Sequence, residues 1–261
     1  MQPPLCVIVN ADDFGRDRDT CRETIACFER GVVSSASIMP SMPATAEACA
    51  YAKRHPEFSY GVHLTFDRET CEAPAAPPMT IKSLVDSRGG LRSLHDVRAR
   101  ALAGLLCEND IVCEIDAQLA KIRDYGVSVS HVDTHGQLHE LPVFARALAR
   151  VLPRHGLQRV RNVRNVHLHP RWRHPAHWLV ATYLPAVQGP WRSTDWFYAP
   201  RAAGDVEWPE RLLRRPWTGT LEVGVHPGRA EEWRSRERDD AMRLRELLRD
   251  RCIPLVAWQS V

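Results

Sequence analysis

Short apolar runs that alternate with helical patterns are the feature that most limits what this chain can become. Leu5 to Ala11 has the continuous apolar character of a buried strand. Arg18 to Arg30 then reads as a helix, with Ile25 and Phe28 on one face and Gly31 as its stop. Ser34 to Met39 and Tyr60 to Phe66 are the next strands, separated by a helix over Ala44 to Arg54. Further on, the pattern gives helices at Asp96 to Leu106 and Asp110 to Tyr125, a strand at Val127 to Val132 and a helix at Pro142 to Leu152. Strands at Val160 to Val166, Gly219 to Val225 and Pro254 to Trp258 follow, the last two flanking a helix at Asp239 to Arg249. Strands joined through helices pair in parallel, because a parallel neighbour needs a crossover long enough to hold a helix. About seven such strands suit a closed or nearly closed α/β barrel better than an open sheet, and 261 residues suit one such domain over residues 1–261.

Two stretches break the rhythm. Residues 67–95 carry Pro74, Pro77, Pro78 and the Gly89-Gly90 pair, and read as an excursion or lid. Arg171 to Trp217 is rich in Trp and Pro and reads as one helix among irregular loops. Composition mainly excludes. A net charge of +3 is too small to argue for nucleic acid. No run of about 18 apolar residues offers a membrane span. No basic segment precedes the first apolar run, so no signal peptide is expected. The eight cysteines are scattered without a close pair, which fits reduced thiols and a cytoplasmic location.

Polar words stand at the ends of four strands: Asn10-Ala11-Asp12-Asp13-Phe14-Gly15, Gly61-Val62-His63-Leu64, His131-Val132-Asp133-Thr134-His135 and Gly224-Val225-His226-Pro227-Gly228. In a parallel barrel all four gather at the C-terminal face of the strands, where such folds place their chemistry. Each has a plain structural reading. An Asp pair after a strand is commonly a helix cap and a solvated neighbour, and a lone His is commonly a hydrogen-bonded structural group. Together they change the balance. Two adjacent carboxylates at an apolar strand end call for a positive partner. One carboxylate with two imidazoles, His63 and His135, is a hydrolytic metal set, and the second carboxylate is then free to act as a base.

With these words on the page, the chain resembles the YdjC-like carbohydrate deacetylases, among them the chitooligosaccharide deacetylases. NADDFG, GVHL, HVDTH and VGVHPG occur in that family's order from about Leu5 to about Trp258. The resemblance implies a distorted (β/α) barrel like that of polysaccharide deacetylases, one divalent metal ion and hydrolysis of an N-acetyl group on a sugar. By the same resemblance Asp13, His63 and His135 are metal ligands, Asp12 is the general base, and His226 is an acid or oxyanion stabiliser. Sequence alone leaves open which of Asp12 and Asp13 faces the metal. Zinc is the first choice for an Asp-His-His set, with magnesium or another divalent ion as alternatives. The family's denser histidine run is interrupted here by Gly136 and Gln137, which bears on the substrate more than on catalysis.

All eight Trp lie at or beyond Trp172. Flat rings suit the C–H faces of sugars, although packing claims many of them. Trp191 and Trp196, in a loop-like stretch, are the candidates for substrate contact, together with His139. Arg154 to Arg173 holds Arg159, Arg161, Arg164 and Arg171. It reads either as a solvated basic face or as a site for a phosphate or carboxylate on a nucleotide- or lipid-linked sugar, with Arg161 the nearest to the active face. The expected partner is an N-acetylated sugar, with no nucleic acid and with a homodimer as a possible assembly. Two other functions compete: a metal phosphoesterase, which needs more ligands, and a non-catalytic sugar-binding protein, in which the Asp pair would be a needless cost.

Overall fold

The structure, a computed structural model, describes residues 4–68, 73–163, 166, 168, 189–200 and 207–261. The basic residues Arg164 and Arg171, and Trp172, lie outside them.

Strand β1 (Cys6–Phe14) is the centre of the molecule. Its nine residues are buried after the first, as expected of a strand covered on both faces. It joins β2 (Ser35–Ile38), β3 (Ser59–Leu64), β4 (Val132–Thr134), β5 (Trp196–Tyr198) and β6 (Thr220–Val225) in one six-stranded sheet of order β4-β3-β2-β1-β6-β5. Every pairing is parallel, and the sheet curls into a half-barrel. Helices α1 (Arg18–Glu29), α2 (Thr45–Arg54), α3 (Leu94–Leu102), α4 (Glu108–Asp124), α5 (Pro142–Val151), α6 (Trp208–Leu213) and α7 (Glu232–Asp250) are the described α-helices, with four short 3-10 turns beside them. Helix α1 starts on a capping box in which Asp17 and Thr20 satisfy each other's main-chain N–H groups.

Several sequence expectations need correction. The strands expected at Val160 to Val166 and Pro254 to Trp258 are single bridges, Val132 to Val160, Arg159 to Arg192 and Val7 to Leu255. Each meets its neighbour at one residue, which is too little for a ladder. Strand β5 was hidden in the stretch read as irregular, because three residues are too few to show a period of two. Helix α7 begins seven residues before Asp239, at Glu232. The window Glu232 to Arg238 is charged at five of its seven positions and looks solvated, yet Arg234 and Glu237 are buried. They lie three apart, so they share one face of the helix, and that face points inward.

The described part of the excursion after β3 is fastened down. Gln118 of α4 accepts a hydrogen bond from the Thr65 N–H and donates one to the Thr65 carbonyl. Glu114 accepts from the N–H groups of Ala75 and Ala76, and Asp110 accepts from that of Ser83. Ile81 and Leu84 are fully buried beneath it.

Candidate metal centre and active site

Successive residues of a regular strand point to opposite faces, so Asp12 and Asp13 should diverge. They do not. The β1–β2 register runs Asn10 to Ser35 and Ala11 to Ala36, then skips to Phe14 and Ile38. Within that bulge Asp13 takes a φ of 60°. Asp tolerates this left-handed conformation better than most residues, at a cost of about 1–3 kcal/mol. The strained residue turns both carboxylates into one pocket, which is a known use of bulges.

Asp13 Oδ1 lies 3.4 Å from His63 Nε2 on β3 and 3.4 Å from His135 Nδ1, just past β4. The three donor atoms form a cluster of the size that one cation would occupy. Asp13 Oδ1 and His63 Nε2 are buried, and neither has a hydrogen-bond partner among the described residues. Buried ligand atoms without a partner are rare in a native interior, and a cation between them, displacing any imidazole proton, would satisfy both, so the residues present fit a metal. The other oxygen of Asp13 accepts a hydrogen bond from Arg234 Nη2 at 2.6 Å. Burial pushes the Asp13 carboxyl upward, but the three neighbouring imidazoles outweigh it and hold the group well below its usual range. His63 Nδ1 sits 3.0 Å from Asp133 Oδ1. Burial disfavours the charged imidazole, yet Asp133 with Asp12 and Asp13 raises it to about 9.

Asp12 is held differently. Arg161 donates to both its oxygens, at 2.7 and 2.6 Å, and Asn10 Nδ2 donates to Oδ1 at 2.7 Å. The same guanidinium meets Asp133 Oδ2 at 2.7 Å and Glu222 Oε1 at 2.9 Å, and lies over the Phe197 ring on β5. Ser37 Oγ accepts from Asn10 and lies within hydrogen-bond distance of Asp133 and His131. Burial would raise Asp12, but Arg161 brings it below the normal carboxylate value. Glu222 loses that contest. Burial, with two other carboxylates nearby, pushes it up to about 7 in spite of Arg161. His131 is stacked flat on Trp258 at 4.6 Å, and burial lowers it to about 3. The Gly61 of the GVHL word is explained here, because a Cβ would stand 2.4 Å from the His131 ring.

His226 follows β6. Its Nδ1 and main-chain N–H both meet Glu237 Oε2, at 2.9 and 3.0 Å. Burial lowers the imidazole, but Glu237 outweighs it and the net shift is upward. Nε2 is left facing Asp12 Oδ2 at 3.9 Å, and the Trp233 ring stands edge-on at 5.5 Å.

The structure therefore brings Asp12, Asp13, His63, His135 and His226 together at one end of the sheet. It does not do the same for every expected substrate contact. Arg161 is 1% exposed, and its nitrogens are all spent on carboxylates of the chain, so it has none for a substrate anion. Trp196 is level with Leu221 near the start of β6, at the end remote from His226, and is packed on Trp217. Trp191 packs on Ala145 and Val163. His139 is buried beside Thr134, with Nδ1 at 2.8 Å from Thr134 Oγ1, and burial lowers it to about 3. The groups that sequence reasoning missed are Glu222 on β6 and Trp233, Arg234 and Glu237 on α7. For Arg234 and Glu237 the only available signal was two opposite charges three residues apart.

Comparison with known proteins sets this geometry in a family. The model of the YdjC-like proteins matches residues 6–251. The chain belongs to the YdjC-like family. A carbohydrate deacetylase of Geobacillus stearothermophilus is 35% identical over 64% of this chain and 63% of its own length. Another, of Thermoanaerobacter pseudethanolicus, is 32% identical over 49% of each chain. The matched stretch thus spans about half to just under two thirds of the length of these relatives. An Enterococcus faecalis protein described as a cellobiose-phosphate cleavage protein has a solved structure that superposes with a TM-score of 0.76. It covers 99% of this chain and 98% of its own, at 21% identity, so the likeness concerns the fold.

Proposed function

We propose that the chain is a metal-dependent hydrolase that removes the acetyl group from an N-acetylated amino sugar. Its barrel would then be of the distorted, polysaccharide-deacetylase-like kind, with residues 159–161 as a seventh stave between β4 and the approach to β5. The observation that carries the reading is the pair of buried, unpartnered ligand atoms, Asp13 Oδ1 and His63 Nε2, facing each other beside His135. The name carbohydrate deacetylase on the relatives supports the substrate class.

Asp13, His63 and His135 would hold the ion, and an Asp-His-His set favours zinc. A bound divalent ion would polarise the acetyl carbonyl and acidify the attacking water. The chain's own groups do the rest. Asp12 accepts the proton of that water. Arg161 fixes both its oxygens and keeps it ionised, which lowers its basicity but ensures that it is never already protonated near neutral pH. His226, held through Nδ1 by Glu237, presents Nε2 to the amine nitrogen as it leaves, and donates the proton that a poor leaving group needs.

A phosphoesterase would need a second metal, and Asp12, His63 and Asp133 do form a second cluster of ligand atoms. Arg161 already bridges its two carboxylates at 2.6 and 2.7 Å, so a second cation would meet a fixed positive charge. The test is to load the protein with zinc and offer N-acetylated chito-oligosaccharides and an aryl phosphate. Acetate without phosphate is the expected product, and phosphate release, or neither, sinks the reading. His226→Ala should lower turnover roughly 10²-fold or more while zinc affinity stays within about twofold of wild type.

A further inference from the structure

We propose that Arg234 is the residue that makes Asp13 a one-oxygen ligand, and that the glycine of the His226-Pro227-Gly228 turn is there to let it reach. The proposal rests on the reading of Asp13, His63 and His135 as a metal set, and adds a residue to it. A free carboxylate can rotate, or offer both oxygens to a cation. Here one oxygen is committed to Arg234 at 2.6 Å, and the remaining one is the atom that faces the two imidazoles.

Arg234 is itself fixed from several sides. It is 3% exposed, its guanidinium lies 4.4 Å over the Trp233 ring, and its Nε donates to Glu231 Oε2 at 2.6 Å. Glu231 Oε2 also accepts from Arg16 Nη1 at 3.1 Å, and the Arg16 main-chain N–H donates to the Asp13 carbonyl at 3.0 Å. The contacts close a ring from the Asp13 side chain, through Arg234, Glu231 and Arg16, back to the Asp13 main chain. That ring spans the one residue of β1 with a left-handed backbone. Gly228 gives the second, independent observation. A Cβ there would stand 2.9 Å from Arg234 Cδ and 3.1 Å from its Cβ. Both belong to the stem of the side chain, so a methyl group would displace the arginine rather than brush its tip.

The sign of the effect separates this role from a simple charge. Arg234 has the same sign as the cation it neighbours. If it acted through charge alone, removing it would tighten metal binding. If it orients Asp13, removing it weakens binding, and groups that orient metal ligands are typically worth about 10–100-fold in affinity. The experiment measures zinc binding to the full metal-free chain by competition with a chromogenic chelator, with thermal unfolding of the metal-free proteins alongside. Arg234→Met should weaken zinc binding about 10–100-fold, Arg234→Lys should recover part of the loss, and Gly228→Ala should move affinity in the same direction as Arg234→Met. Unchanged or tighter binding in Arg234→Met and Gly228→Ala overturns the proposal, even if both unfold at lower temperature. Should Arg234→Met fail to fold, Gly228→Ala decides on the same criterion. A wild-type protein that binds no zinc or other divalent ion overturns the metal reading itself, and this proposal with it.

Discussion

The floor of the pocket and its rim treat buried charge in opposite ways. On the floor, Asp12, Asp133 and Glu222 surround Arg161, and the guanidinium is fully used. At the rim, Asp13 and His63 keep ligand atoms without a hydrogen-bond partner among the described residues. Both regions are equally cut off from water, so burial does not explain the difference. The lesson concerns exchange. A buried carboxylate saturated by fixed partners is held in place and kept ionised, whereas one left half satisfied is a place for something that comes and goes.

The largest effect should come from breaking the floor. Arg161→Met leaves its carboxylates buried without a counter-charge, which should cost roughly 3–5 kcal/mol of stability. Denaturant unfolding measures it, and a loss below about 1 kcal/mol would mean that the floor is not held by charge. Next comes the contrast between the paired aspartates. Asp12→Asn should keep metal and lose about 10²–10⁴ in turnover, while Asp13→Asn should lose the metal first. Chelator competition and turnover on the same samples read both, and the reverse pattern would exchange their roles.

A pH dependence sharpens the rim. Metal-free His63, raised to about 9, carries a proton at neutral pH that a metal must displace. Affinity should therefore climb by about tenfold per pH unit up to that region, with a proton released on binding. The same shift runs the other way for stability. With a folded value above the unfolded 6.5, charged His63 stabilises the metal-free protein fully below pH 6.5, and that contribution fades as pH rises through about 9. Affinity that is flat from pH 6 to 9 would place the proton elsewhere. The smallest effect belongs to Trp196→Phe, far from His226. KM should change less than about twofold, whereas Trp233→Ala should raise it, and a large KM effect at Trp196 would move the substrate to the wrong end of the barrel.

What the sequence made legible follows from how the site is written. Asp12 with Asp13, His63, Asp133 with His135, and His226 each sit in a short word at a strand end, and parallel topology brings those words to one end of the sheet. Arg161 was legible as the arginine nearest the active face but not as a partner of the chain's own carboxylates, because Glu222 and Asp12 are 61 and 149 residues away, and an arginine without visible counter-charges reads as free for a substrate anion. Trp233, Arg234 and Glu237 were lost for a related reason. A helix face that packs through ion pairs has no apolar period to announce it. The bulge at Asp13 left no mark either, since aspartate is an ordinary residue for a strand end, and its backbone conformation is imposed by the β2 register and by the groups around it.

The pairing of the first strand has a consequence for how the molecule is made. Cys6 to Ala11 lie beside Thr220 to Val225, Val7 is bridged to Leu255, and Ser34 donates to the Val256 carbonyl across 222 residues. On a ribosome, the aspartates, His63 and His135 all emerge while the strand that flanks β1 on its other side is still unsynthesised. Contacts so distant in sequence form late and slowly. Strands β1 to β4, which carry the aspartates, His63 and the approach to His135, can pair with one another before β6 exists, and the site is completed only when β6 and α7 bring His226 and Arg234 to it.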